Sequence, residues 1–121
     1  MLLRACLVLA FLAASMYAPM TRADGTITIH LANDGTDNLV VTLYDRNLRR
    51  RQLVLSSQII YGHASIATSI TANSASQGHL FWRAMTTDRD NPRCGHREVA
   101  HVDDGSTVRV TADGACPRHH R

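Results

Sequence analysis

Four arginines fall within six positions, Arg46, Arg49, Arg50 and Arg51, in the stretch Asp45-Arg46-Asn47-Leu48-Arg49-Arg50-Arg51. Guanidinium groups this close repel one another inside a packed element, so the stretch is expected on a solvent-exposed connection. A planar guanidinium grips carboxylate or phosphate oxygens in pairs. The cluster is therefore the first candidate for a surface that takes an anionic glycan, a lipid surface or an acidic protein. It also has a purely structural use, since charge beside a strand edge discourages pairing with other chains. No aromatic residues alternate with these arginines to stack bases, so nucleic acid is not expected as a partner.

The histidines are the second source of chemistry. Seven occur, and neutral imidazole is a common ligand for zinc and copper. Their spacing matches no metal motif: there is no His-Glu-x-x-His and no Cys-x-x-Cys. What remains is His30 with His101, if their strands pair, and the terminal pair His119-His120. A periplasmic zinc- or copper-binding protein using these side chains is the alternative reading.

Cys94-Gly95-His96 resembles part of a blue-copper ligand set, but such a site needs a free thiolate and usually a Met beyond the Cys. The last Met, Met85, lies before it. Asp34, Asp37 and Asn38, or Asp88, Asp90 and Asn91, offer oxygens to calcium without fitting the twelve-residue calcium loop, and such residues in turns usually serve their own backbone. For catalysis the chain is poor. It has one Glu, Glu98, no Gly-x-Ser-x-Gly elbow and no phosphate-cradling glycine loop, so no enzyme activity is expected.

Positioning these groups falls to a short chain. Met1-Leu2-Leu3-Arg4 carries one positive charge, an uncharged apolar run follows from Ala5 to Tyr17, and Thr21-Arg22-Ala23 offers small residues at the two positions a signal peptidase inspects. That order predicts a signal peptide over residues 1–23, cleavage after Ala23, and export to the periplasm or the outside of the cell. The run is too short for a transmembrane anchor. The remaining 98 of 121 residues form one expected domain, 24–121.

Every basic side chain is Arg and none is Lys, which suggests a GC-rich, bacterial genome. Without the leader, 11 Arg face 10 acids, close to neutrality. A domain of this size is marginal on surface-to-volume grounds, and exported domains of that kind use disulfides. Loss of Cys6 with the leader leaves Cys94 and Cys116 as the expected pair. Closing that loop is worth about 3 kcal/mol in the chain-entropy model.

Strand periodicity fills the rest. Ile27, Ile29 and Leu31 alternate with polar residues, as do Leu39, Val41 and Leu43 with Val40, Thr42 and Tyr44. The turn formers between them, with Asp34-Gly35 inside, predict that these two strands form a hairpin. A short strand around Leu53 and Leu55 with an irregular return at Ile59-Ile60, then one with Ile66, Thr68 and Ile70 inward, come next.

Gly78-His79-Leu80-Phe81-Trp82-Arg83-Ala84-Met85, which holds the only Trp, is apolar on both faces and reads as a central strand buried on both sides. Arg97 to Val102 and Thr107 to Thr111 close the set, joined by a second hairpin at Asp103-Asp104-Gly105-Ser106, and the tail beyond Cys116 should fray.

Seven short strands in about 100 residues predict an all-β protein, a small antiparallel β-sandwich with one disulfide. The layout is similar in outline to immunoglobulin-like sandwiches, although the cysteine pair joins late segments instead of pinning two sheets across a central Trp. On such a scaffold the expected function is non-enzymatic binding through loops, with the arginine cluster as the site. An inhibitor of an exported enzyme would use the same scaffold.

Overall fold

The computed structural model describes residues 25–117. The expected leader, 1–23, and the pair His119-His120 lie outside the described residues. Eight strands follow one another: β1 (Thr26–Ala32), β2 (Leu39–Asp45), β3 (Leu53–Ile60), β4 (Ser65–Thr71), β5 (Gly78–Thr86), β6 (Arg93–Val102), β7 (Thr107–Arg109) and β8 (Gly114–Ala115). They form two packed sheets, one of three strands in the order β4-β1-β7 and one of five in the order β3-β2-β5-β6-β8. All pairings are antiparallel except β1 with β7, which run parallel. The all-β, two-sheet architecture and the Cys94–Cys116 disulfide are as expected from the sequence.

The expected hairpin between the first two strands does not form. β1 pairs with β4 along its whole length, Thr26 opposite Thr71 to Ala32 opposite Ser65, while β2 pairs with β3 and β5 in the other sheet. A strand with one apolar face can bury it against a neighbour across the core as readily as beside one. Ile27, Ile29 and Leu31 therefore meet Leu39, Val41 and Leu43 within the core that both sheets enclose.

Asn33 builds the crossing. It is buried, its Nδ2 donates to the Asp37 carbonyl (2.7 Å) and the Ile60 carbonyl (3.0 Å), and its Oδ1 accepts from Gly35 N–H (3.0 Å). Gly35 lacks the positive φ that a tight Asp-Gly hairpin turn requires.

The second expected hairpin is also a crossing. Gly105 does take a positive φ of 83°, but its N–H donates to the Thr28 carbonyl (2.7 Å), and the Asp104 carboxylate accepts from Thr28 N–H (2.8 Å). The turn docks on β1 and lays β7 parallel to it.

β6 begins at Arg93 and so takes in Cys94, earlier than the expected Arg97, because its first residues continue the ladder along β5 as far as Met85 opposite Cys94. The third strand is continuous from Leu53 to Ile60, and its irregularity is absorbed as two register shifts against β2, one between Leu55 and Gln58, where Ser57 has a φ of 51°, and one between Leu53 and Leu55.

β5 is the middle strand of the larger sheet, as expected, but only one of its faces is covered. Leu80, Trp82 and Ala84 are buried in the core, whereas Phe81 is half-buried, Arg83 is exposed and Met85 is 43% exposed. The three-stranded sheet covers the inner face alone, so the outer face of the larger sheet lies open.

One buried carboxylate ties the sheets together. Asp45, at the end of β2, accepts from Thr71 N–H of β4 through Oδ2 (2.7 Å) and from Asn47 N–H through Oδ1 (3.1 Å). Asn47 completes the clamp by donating its Nδ2 to the Thr71 (2.8 Å) and Gln77 (3.1 Å) carbonyls.

Candidate functional site

The clamp fixes the root of the arginine stretch. Gln52 closes the far side, its backbone carbonyl accepting from Asp45 N–H (2.6 Å) and its Nε2 donating to the Leu48 carbonyl (2.6 Å). Between these anchors Arg49, Arg50 and Arg51 are exposed, Arg51 with a positive φ of 54°. Among the described residues none of the three makes an ion pair.

Arg46 behaves differently. Its guanidinium carbon lies 5.1 Å from the centre of the Phe81 ring, its Nε is 3.7 Å from Glu98 Oε1, and its Nη1 donates to Gln52 Oε1 (3.0 Å). The four arginines expected to act together thus divide into one that is seated on the sheet and three that project from it.

Arg46 leads onto the open outer face, which sequence reasoning missed. Strand register arranges that face in three rows: Leu53, Tyr44, Phe81 and Glu98; then Thr42, Arg83 and His96; then Ile59, Val40, Met85 and Cys94. The middle row places a second guanidinium over an aromatic ring, since Arg83 Cζ is 5.7 Å from the centre of Tyr44 and its Nη2 donates to the Tyr44 hydroxyl (3.0 Å).

Phe81 lies 6.0 Å from His96 and 6.1 Å from Tyr44, centre to centre. His79 Nε2 meets Glu98 Oε2 at 2.7 Å. Cation–π stacking of this kind holds a guanidinium plane in place at modest cost in mobility. The arrangement therefore presents two oriented guanidiniums, Arg46 and Arg83, beside the three exposed arginines of the loop. A signal for it was present: His79 and Arg83 are in phase with Phe81 and Met85 along β5, and a face carrying charge at alternate positions is not a buried one.

Strand pairing does not bring His30 and His101 together, and His119-His120 lie outside the described residues. His30 lies on β1 in one sheet and His101 near the end of β6 in the other, where its Nδ1 meets Gln77 Oε1 at 3.2 Å. Their strands do not pair, which removes the condition under which the two could share an ion. Among the described residues no group of three or more His, Cys, Asp and Glu side chains is placed to hold a metal.

Cys94 is bonded to Cys116, with their Cα atoms 4.8 Å apart, so it supplies no thiolate to a copper site. Asp37, Asp88 and Asn91 meet around a pocket of about 290 Å³, but Arg93 lines it too. Asp34 is engaged by Arg109 Nε at 3.0 Å.

Fold and surface together define a small disulfide-closed protein of two β-sheets, with a cation–aromatic face on the larger one. No known family model, curated protein or solved structure matches this chain.

Proposed function

We propose that the chain is an exported, non-enzymatic binding module that takes an anionic partner, an acidic glycan, a lipid surface or an acidic protein, on the Arg46–Arg51 loop and the adjoining outer face. The observation that carries this reading is the partition of charge around Arg46. Glu98 is the one acid in the three rows and is engaged by Arg46 and His79, while Arg49, Arg50 and Arg51 have no acidic partner among the described residues.

A loop anchored at its root loses less backbone entropy than a free one when its cations engage a carboxylate or phosphate. The Cys94–Cys116 bond supports export, since disulfides persist in oxidising compartments. The strand order supports an immunoglobulin-like reading of the scaffold, with β1 and β4 in the places of strands B and E and β2, β5 and β6 in those of C, F and G.

The test is salt-gradient elution from a heparin column and from anionic lipid vesicles. The Arg49→Ala/Arg50→Ala/Arg51→Ala protein should elute at clearly lower salt while its thermal unfolding is unchanged. Retention equal to the parent's on both supports would remove the loop from any binding role.

A further inference from the structure

We infer that the free edge of β3 is a self-association surface, on which a second copy of this chain pairs antiparallel about Ser56 and continues the larger sheet across a two-fold axis. Such a dimer leaves the outer face of both sheets open and does not rest on the anionic-partner reading.

β3 ends the five-stranded sheet, paired with β2 on one side and with no strand on the other. Edges of this kind are normally blunted by charge, proline or shortness, because their unpaired backbone groups accept another chain. β3 carries none of these devices. It is 8 residues long, and between Arg51 and His63 the chain has neither a charged side chain nor a proline. The other edges differ: β8 has 2 residues, β7 has 3 with Arg109 among them, and β4 has no exposed large apolar side chain.

Apolar exposure is concentrated on the same edge. Among the described residues the exposed large apolar side chains are Leu53 (51%) and Ile59 (41%) on β3, Tyr61 (63%) directly after it, and Met85, which shares a row with Ile59. Leu53 stands opposite Tyr44 and Ile59 opposite Val40, so both belong to the outer face, and Ser56 lies midway between them.

A two-fold axis through Ser56, normal to the sheet, therefore sets Leu53 of each copy opposite Ile59 of the other on one face. The same operation brings Tyr61 level with Arg51 of the second copy, an exposed ring beside an unpaired guanidinium. Ser57 N–H donates to Thr42 Oγ1 on β2 (3.3 Å), and the register shift there interrupts the ladder near the axis, so the flanks Leu53–Leu55 and Gln58–Ile60 carry the pairing.

Charge selects the antiparallel arrangement and favours a second copy as the occupant. One end of β3 continues from the exposed Arg49, Arg50 and Arg51. The other is tied to the crossing between β1 and β2, where the Ile60 carbonyl accepts from Asn33 Nδ2 (3.0 Å) and Gly62 N–H donates to Asn38 Oδ1 (3.0 Å). That crossing carries the exposed Asp34 and Asp37; Asp34 is shared with Arg109, and Asp37 makes no ion pair among the described residues. Parallel pairing would set arginine loop beside arginine loop. Antiparallel pairing sets each beside the acidic end of the other copy, twice by symmetry.

Sedimentation velocity of the exported, oxidised protein from about 5 µM to about 500 µM should show a monomer–dimer equilibrium. Leu53→Glu and Ile59→Lys each replace an exposed side chain, so both should keep the parent's circular dichroism, and each alone should weaken self-association at least about tenfold. Mixed one to one, the two variants should associate again, because the mixed dimer sets the introduced carboxylate opposite the introduced ammonium and keeps an unaltered Leu53–Ile59 pair on the other side of the axis. A parent that stays monomeric throughout that range, variants that self-associate like the parent, or a mixture that associates no more than its components would overturn the assignment.

Discussion

Replacing Asp45 by Ala should remove the strongest polar tie between the two sheets. Its carboxylate is 1% exposed, and Arg46, the neighbouring cation, is directed to Glu98 instead. The charge is therefore held by backbone N–H groups, those of Thr71 at 2.7 Å and Asn47 at 3.1 Å. A hydrogen bond to an ionised acceptor is worth about 1.5–3 kcal/mol, and truncation leaves both donors without a partner in a place that water reaches poorly.

Asp45→Ala should thus cost about 3–5 kcal/mol, a large part of the roughly 5–15 kcal/mol that holds a domain of this size. Asp45→Asn keeps one carbonyl oxygen for Thr71 and turns an amide toward the other donor, so its cost should be about 1–2 kcal/mol. Urea unfolding followed by Trp82 emission measures both, with an unchanged denaturant slope showing that the same surface is exposed. The reasoning fails if Asp45→Ala unfolds within about 1 kcal/mol of the parent.

Other outcomes follow from the same structure. Cys94→Ser/Cys116→Ser should lower the stability by about 3 kcal/mol on chain-entropy grounds, which the shift in the urea midpoint would show. Gly95→Ala should destabilise by about 2–4 kcal/mol, because the added methyl and the Thr111 carbonyl cannot occupy the same space. Urea unfolding measures the loss, and thiol labelling should show slower closure of the disulfide, since the cysteine next in sequence must still meet Cys116. Together with the salt elution of the triple arginine variant and the sedimentation of the Leu53 and Ile59 variants, these test the scaffold and both proposed surfaces separately.

Alternation in the sequence by itself marked seven of the eight strands and most side chains that enter the core, because one apolar residue in every two suffices to mark a buried face; β8 and the first residues of β6, Arg93 to His96, carry no such pattern. Ile27, Leu43, Ile70, Leu80 and Trp82 were all legible in this way, as was the pairing of the two cysteines left after the expected leader. Which strands pair was not legible. An amphipathic strand meets the same demand beside its neighbour or across the core, and only Asn33 and the docked Asp104-Gly105 turn decide that both expected hairpins become crossings between sheets.

The arginines of the loop could be read from their spacing, whereas the seating of Arg46 on Phe81 and of Arg83 on Tyr44 depends on β2 and β5 lying in register. That β3 stands at the rim of its sheet, with Leu53 and Ile59 exposed, likewise follows from the strand order alone, since an uncharged run such as that between Arg51 and His63 suits a central strand equally well.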